Sequence, residues 1–163
     1  AIGVNLDSPA SADVYNGTRP VIATLGESHE ASGGGEWIFV LATSALARGD
    51  CVAIDNTTYA ASAVVSTATL IGKRIAFAQT TFATSQYGFV QMRGQDMFIK
   101  VINGAATPGV PLYTTDTAGA LSTATASLSA FQVWGTFLSA TVSGLTASAG
   151  LGGASFPMIR RPG

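Results

Sequence analysis

Two carboxylates, Asp50 and Asp55, bracket the short apolar run Cys51–Ile54. Such a pair serves glycoside hydrolysis when its members are held about 5–10 Å apart. Both also stand where turns favour aspartate for bonds to the nearby backbone, and that simpler role is the expected one. His29, the only imidazole in the chain, sits beside Glu30. A general base needs a pocket, which the polar residues around His29 do not build, so a solvated surface position is expected. Cys51 is the single cysteine, which rules out an intrachain disulfide and a cysteine-based zinc cage. A buried structural thiol is expected there.

Six aromatic residues, Trp37, Tyr59, Tyr87, Phe89, Trp134 and Phe137, would make a sugar- or peptide-binding platform if they stood exposed in a row. Most lie inside strand-like patterns, so core packing is the expectation. The chain contains no G-x-S-x-G elbow, no phosphate-cradling G-x-x-x-x-G-K-[ST] loop and no G-x-G-x-x-G opening a helix. Asn16-Gly17-Thr18 and Asn56-Thr57-Thr58 match the glycosylation sequon, which has meaning only in a secreted protein. These residues point away from an enzyme and call for no metal or cofactor.

What must position such residues is read from the pattern around Glu36–Asp55. At a constant offset of 60, Ile38 meets Phe98, Phe39 meets Ile99, Leu41 meets Val101, Gly49 meets Gly109 and Val52 meets Leu112. In each copy an apolar run is followed by small residues, a glycine and a second short apolar run, the mark of strand, turn, strand. Strands are expected at 37–43, 50–55, 59–67, 73–80 and 87–93. In the second copy they are expected at 97–102, 110–115 and near Leu121, with 131–138 answering 74–80. No window of helical length carries an apolar face at the three-four spacing. The fold expected is all-β, a small barrel or sandwich built from two related units, covering about 37–80 and 97–138 of a single β domain at 35–163. Residues 139–155 are small and low in complexity, and fit either a loose loop or a tightly packed edge. The stretch 156–161 reads as a last strand ending in Arg160 and Arg161.

Residues 1–34 are polar and carry isolated apolar anchors at Val4, Leu6, Tyr15, Val21, Ile22 and Leu25. They read as an extended arm on a flexible glycine hinge, seeking a neighbouring surface; a disordered tail is the rival reading. Only 10% of the chain is charged, against roughly 25% in an average domain. So neutral a surface favours burial between subunits. The net charge is −1 and the cations are scattered, which argues against direct nucleic-acid binding. No apolar run approaches the roughly 20 residues of a membrane span, and the N-terminus lacks a signal-peptide pattern. A soluble protein of the reducing cytosol is expected.

The runs Gly35–Val40, Gly49–Asp55, Ile75–Gln79, Tyr87–Gln91 and Leu112–Gly119, in this order, resemble a group of tailed-bacteriophage virion proteins: the small capsid decoration, cement or head-stabilisation proteins. The resemblance covers 35–140. It implies an all-β protein, commonly a homotrimer, on the outer face of an icosahedral shell, without enzyme activity. The major capsid protein and further copies of the chain would be its partners, and the virion its location after synthesis in the host cytoplasm. Val4, Leu6, Tyr15, Val21, Ile22, Leu25, Arg160 and Arg161 are then the expected attachment residues. A carbohydrate-binding β module and another minor head protein are the alternatives.

Overall fold

A computed structural model describes residues 14–16, 24–31, 34–102, 104–123, 130–144 and 148–160. Among these the chain is all-β without an α-helix, and contains a closed five-strand barrel with further strands attached. In chain order the strands are β1 Val14–Asn16, β2 Ser28–Glu30, β3 Glu36–Ala42, β4 Cys51–Ile54, β5 Ala60–Ala63, β6 Arg74–Phe77, β7 Gln86–Val101, β8 Gly104–Ala106, β9 Leu112–Thr114, β10 Leu121–Ser122, β11 Gln132–Leu138, β12 Val142–Gly144 and β13 Ser148–Arg160. β8 and β12 pair as a separate two-stranded ribbon.

Strand pairing draws two five-strand circuits that share β7. The first runs β3, β5, β4, β6, β7 and back to β3. The second runs β7, β10, β9, β11, β13 and back to β7. In each circuit the first connection is parallel and the other four are antiparallel. The repeat seen in the sequence is thus a repeat of topology. Gly49 and Gly109 take equivalent places before β4 and β9, at φ 88° and 82°, where a side chain would be strained. The turns that follow also correspond. Asp55 Oδ1 accepts from the Thr57 amide at 2.9 Å, and Thr115 Oγ1 accepts from the Thr117 amide at 3.2 Å.

Each circuit encloses a core to which all five of its strands contribute. Ile38, Val40, Val52, Ile54, Ala61, Ala76, Val90 and Met92 fill the first. Met97, Ile99, Val101, Leu112, Leu121, Val133, Ala154 and Ile159 belong to the second, together with Cys51, Ala53, Ile75 and Phe77 from the first circuit's outer side. All four residues of β4 are buried, because alternate side chains face the two cores.

Sequence reading separated 87–93 from 97–102, but one sixteen-residue strand spans both. Gly94-Gln95-Asp96 looks like a turn and is instead a bulge. β7 carries an extra residue relative to β3 between Gln91 and Arg93, and another relative to β13 between Gly94 and Met97. Of the two readings of 139–155, the packed one holds at Gly152, Gly153 and Ala154, which are buried. This stretch lies inside the sheet rather than at its edge, since β13 pairs with both β7 and β11.

The expected free arm on a glycine hinge is corrected where the structure describes it. β1 pairs with β7, Tyr15 opposite Tyr87. β2 and β3 form a hairpin closed by bonds from Ala31 N to Gly35 O at 2.8 Å and from Gly34 N to Ala31 O at 3.0 Å. Gly34 and Gly35 therefore close a hairpin, and Leu25 packs on the Trp37, Phe39 and Phe89 cluster of its own chain.

The two circuits are joined by polar contacts as well as by the shared strand. Lys100 Nζ lies 2.9 Å from the buried Asp50 Oδ1, and the Lys100 amide donates to the Gly49 carbonyl at 2.8 Å. The Gln79 side chain pairs with both backbone groups of Phe98, at 3.0 and 2.8 Å. Replacing Lys100 leaves a buried carboxylate without its cation, so Lys100→Met is expected to cost about 3 kcal/mol. In urea denaturation the pair Asp50→Asn with Lys100→Met should cost clearly less than the two single changes combined. Additive costs would show that the ion pair does not couple the circuits.

Candidate functional site

The residues nominated for chemistry are dispersed. Asp50 Oδ2 accepts from the Ala47 amide at 2.7 Å while Oδ1 meets Lys100. Asp55 Oδ1 accepts from the Thr57 and Thr58 amides, both at 2.9 Å, and from the Thr58 hydroxyl at 3.1 Å. The extended strand Cys51–Ile54 sets the backbones of the two aspartates about 16 Å apart, and each carboxylate is turned to its own partners rather than to the other. His29 Nε2 lies 2.8 Å from Glu27 Oε1, and its ring stands edge-on to Phe89 at 5.6 Å. Glu30 instead meets Arg93 at 2.8 Å. Cys51 is fully buried, and burial pushes its thiol well above the ordinary range, which makes it a poor nucleophile. Among the described residues no three His, Cys, Asp or Glu side chains gather to hold a metal, and no helix is long and apolar enough to cross a membrane.

The six aromatics do not form a platform. Trp37 and Phe89 are buried, Tyr59 and Tyr87 are half-buried against the core, and only Trp134 and Phe137 are exposed.

Trp134 instead belongs to an apolar groove of about 1150 Å³. β6 and β13 build it by diverging from β7, which they meet at neighbouring points: Phe77 opposite Gln91, and Ser155 opposite Arg93. Met92 lies at the fork, Ile71, Arg74 and Ile75 line one wall, and Trp134, Phe156, Met158 and Arg160 line the other. Ile71, Trp134, Phe156 and Met158 are 44–49% exposed. Large apolar side chains gathered so openly are unusual on a soluble surface and mark a place of contact.

Local geometry explains why these side chains point outward. β13 alternates, with Phe156, Met158 and Arg160 exposed and Pro157 and Ile159 buried. A bulge opposes Gly135 to the Ser155–Phe156 turn of the backbone, where Gly135 has φ 75° and Phe156 φ 46°. A Cβ on Gly135 would stand 2.8 Å from the Ser155 carbonyl, so only glycine allows this approach. Arg160 lies over the Trp134 ring, 4.8 Å from its centroid, and Arg93 over Phe156 at 5.7 Å.

Of the residues expected to make attachments, Arg160 is in this groove. Tyr15 lies on β1 and Leu25 packs on its own chain, while Val4, Leu6, Val21, Ile22 and Arg161 fall outside the described residues. Sequence reading missed Ile71, Arg74, Phe156 and Met158. The period-two alternation of Phe156, Met158 and Arg160 was the available signal for the last two.

The sequence matches no protein-family model, and no curated protein is similar to it at a significant level.

Backbone amides of Thr58 and Thr57 hold the Asp55 carboxyl below its usual range, and the Thr24 amide does the same for Glu27. A carboxylate with a depressed folded-state pKa contributes stability that is complete above its unfolded value, near pH 4, and is lost as pH falls through the folded value. The melting temperature is therefore expected to fall on acidification below about pH 4, and Asp55→Asn should lower it at pH 7 and make the acid fall shallower. Parallel acid limbs for the two proteins would contradict this role.

Proposed function

We propose that the protein is a structural component of a bacteriophage virion that binds the outer surface of the capsid and stabilises the coat lattice. The observation that carries this reading is the open apolar groove beside Trp134, on a domain whose Asp50 and Asp55 carboxylates and Cys51 thiol are occupied with structural work. The resemblance of 35–140 to decoration proteins supports it, as does the scarcity of charge, which suits subunit contacts. A homotrimer would place three grooves on one particle, and each contact after the first is then intramolecular, multiplying weak affinities. A carbohydrate-binding module is the second reading, favoured only by the exposed rings of Trp134 and Phe156.

The arm retains a role in this reading through residues 1–13, which carry Val4 and Leu6. A truncation that tests them must end before β1. Removing 1–30 would also delete β1 and β2 and uncover Trp37, Phe39 and Phe89.

Purified capsids with and without added protein provide the test. Saturable co-sedimentation, regular density on the outer shell and a higher capsid melting temperature are expected, together with a trimer by light scattering. Met158→Lys, at an exposed position, should lower occupancy at least tenfold without altering the circular dichroism of the free protein. Capsids that neither bind the protein nor gain heat resistance would refute the reading, and selective glycan binding by Trp134 would favour the second one.

A further inference from the structure

The two walls of the groove are strands that each lack a neighbour along the edge bordering it. β6 pairs along its whole length with β4, but its other edge meets β7 only at Phe77. β13 pairs with β7 from Ser148 to Ser155, and beyond Ser155 only its β11 edge is paired, through Met158, Ile159 and Arg160. The stretch 156–160 thus presents an open backbone edge among the described residues. Pro157 falls within it, and a proline, having no N–H, is tolerated in strands chiefly at such edges.

The charge around this edge is one-sided although the chain as a whole carries −1. Lys73, Arg74 and Arg160 line the groove against a single acid, Glu36, which lies 3.8 Å from Arg93. Lys73 reaches Asp55 only at 4.0 Å, and neither Arg74 nor Arg160 has a carboxylate partner among the described residues. An open strand edge, an apolar floor and guanidinium groups without a carboxylate together define what fits: an extended segment that carries apolar and acidic side chains along one face.

We infer that the edge at 156–160 accepts an extended acidic–apolar segment of a partner protein by strand addition. Main-chain hydrogen bonds to β13 supply the register. Phe156, Met158 and Arg160 share one face of β13, so every second side chain of the segment faces them: apolar ones pack on Ile71, Phe156 and Met158, and carboxylates on the same face meet Arg74 and Arg160. The inference deepens the attachment reading of this groove by naming the chemistry of the partner. Its test uses free peptides, so that it can hold even where capsid binding fails.

Isothermal titration of the full chain with three capped nonapeptides decides the matter. The first places valine and aspartate in turn at every second position with threonine between, the second has lysine for aspartate, and the third is the aspartate peptide N-methylated at alternate backbone amides. The aspartate peptide is expected to bind at least tenfold more tightly than either of the others, with amide shifts in NMR centred on 156–160. Reversing charge at two exposed positions, Arg74→Glu with Arg160→Glu, should invert the preference between aspartate and lysine peptides. Equal binding of the two charged peptides would overturn the inference, as would undiminished binding of the N-methylated one. Absence of binding by all three at millimolar concentration would overturn it as well, whatever the capsids do.

Discussion

Hydrogen bonding along both edges of β7 is the constraint on which the rest of the structure depends. Over its sixteen residues this strand takes β3 and β10 on one side and β1, β6 and β13 on the other. Its first half completes one five-strand circuit and its second half begins the next. A strand that serves two cores must change which of its side chains face inward, and the bulges around Gly94 do this. Val90 and Met92 face the first core, whereas Met97, Ile99 and Val101 face the second. An extra residue in one strand shifts the alternation by one place and tightens the local twist. The same bulges splay β6 from β13 where both leave β7, so the groove is a consequence of sharing the strand.

Between the circuits, apolar contact is close and several polar groups are paired across it. β4 and β6 turn Cys51, Ala53, Ile75 and Phe77 towards the second core, which leaves no layer of water between the units. Backbone groups at the junction find partners at Gly49, Gln79 and Gly119, and the Asp50 carboxylate lies against Lys100. Buried groups left without such partners would each cost about 1–3 kcal/mol, so the junction holds the circuits in one relative position. A rigid body of this kind suits a surface that must present several contacts at fixed spacing.

Much of this architecture was legible in the residues, and the misreadings have physical causes. The offset of 60 was visible because both circuits need the same φ > 0 residue before β4 and β9, met by Gly49 and Gly109. The fusion of two strands into one was not visible, because Gly94-Gln95-Asp96 has the composition of a turn and only the pairing partners make it a bulge. Gly34 and Gly35 read as a hinge for the same reason: glycine permits a tight hairpin as readily as a flexible linker. The local backbone bonds of Asp50 and Asp55 and the burial of Cys51 were legible from their neighbours in the chain. The groove itself lay beyond sequence reasoning, since Ile71 and Met158 are distant in the chain and meet only through β7.

If β7 binds both circuits into one cooperative unit, they must open together. Native-state hydrogen exchange at the amides of Val90, in the first circuit, and Ile99, in the second, measures this directly. Equal opening free energies with the same denaturant dependence are expected at the two sites, both matching global unfolding. An Ile99 amide that exchanges through a smaller opening while Val90 stays protected would contradict the account, because the second circuit would then unfold alone and β7 would be two strands joined end to end.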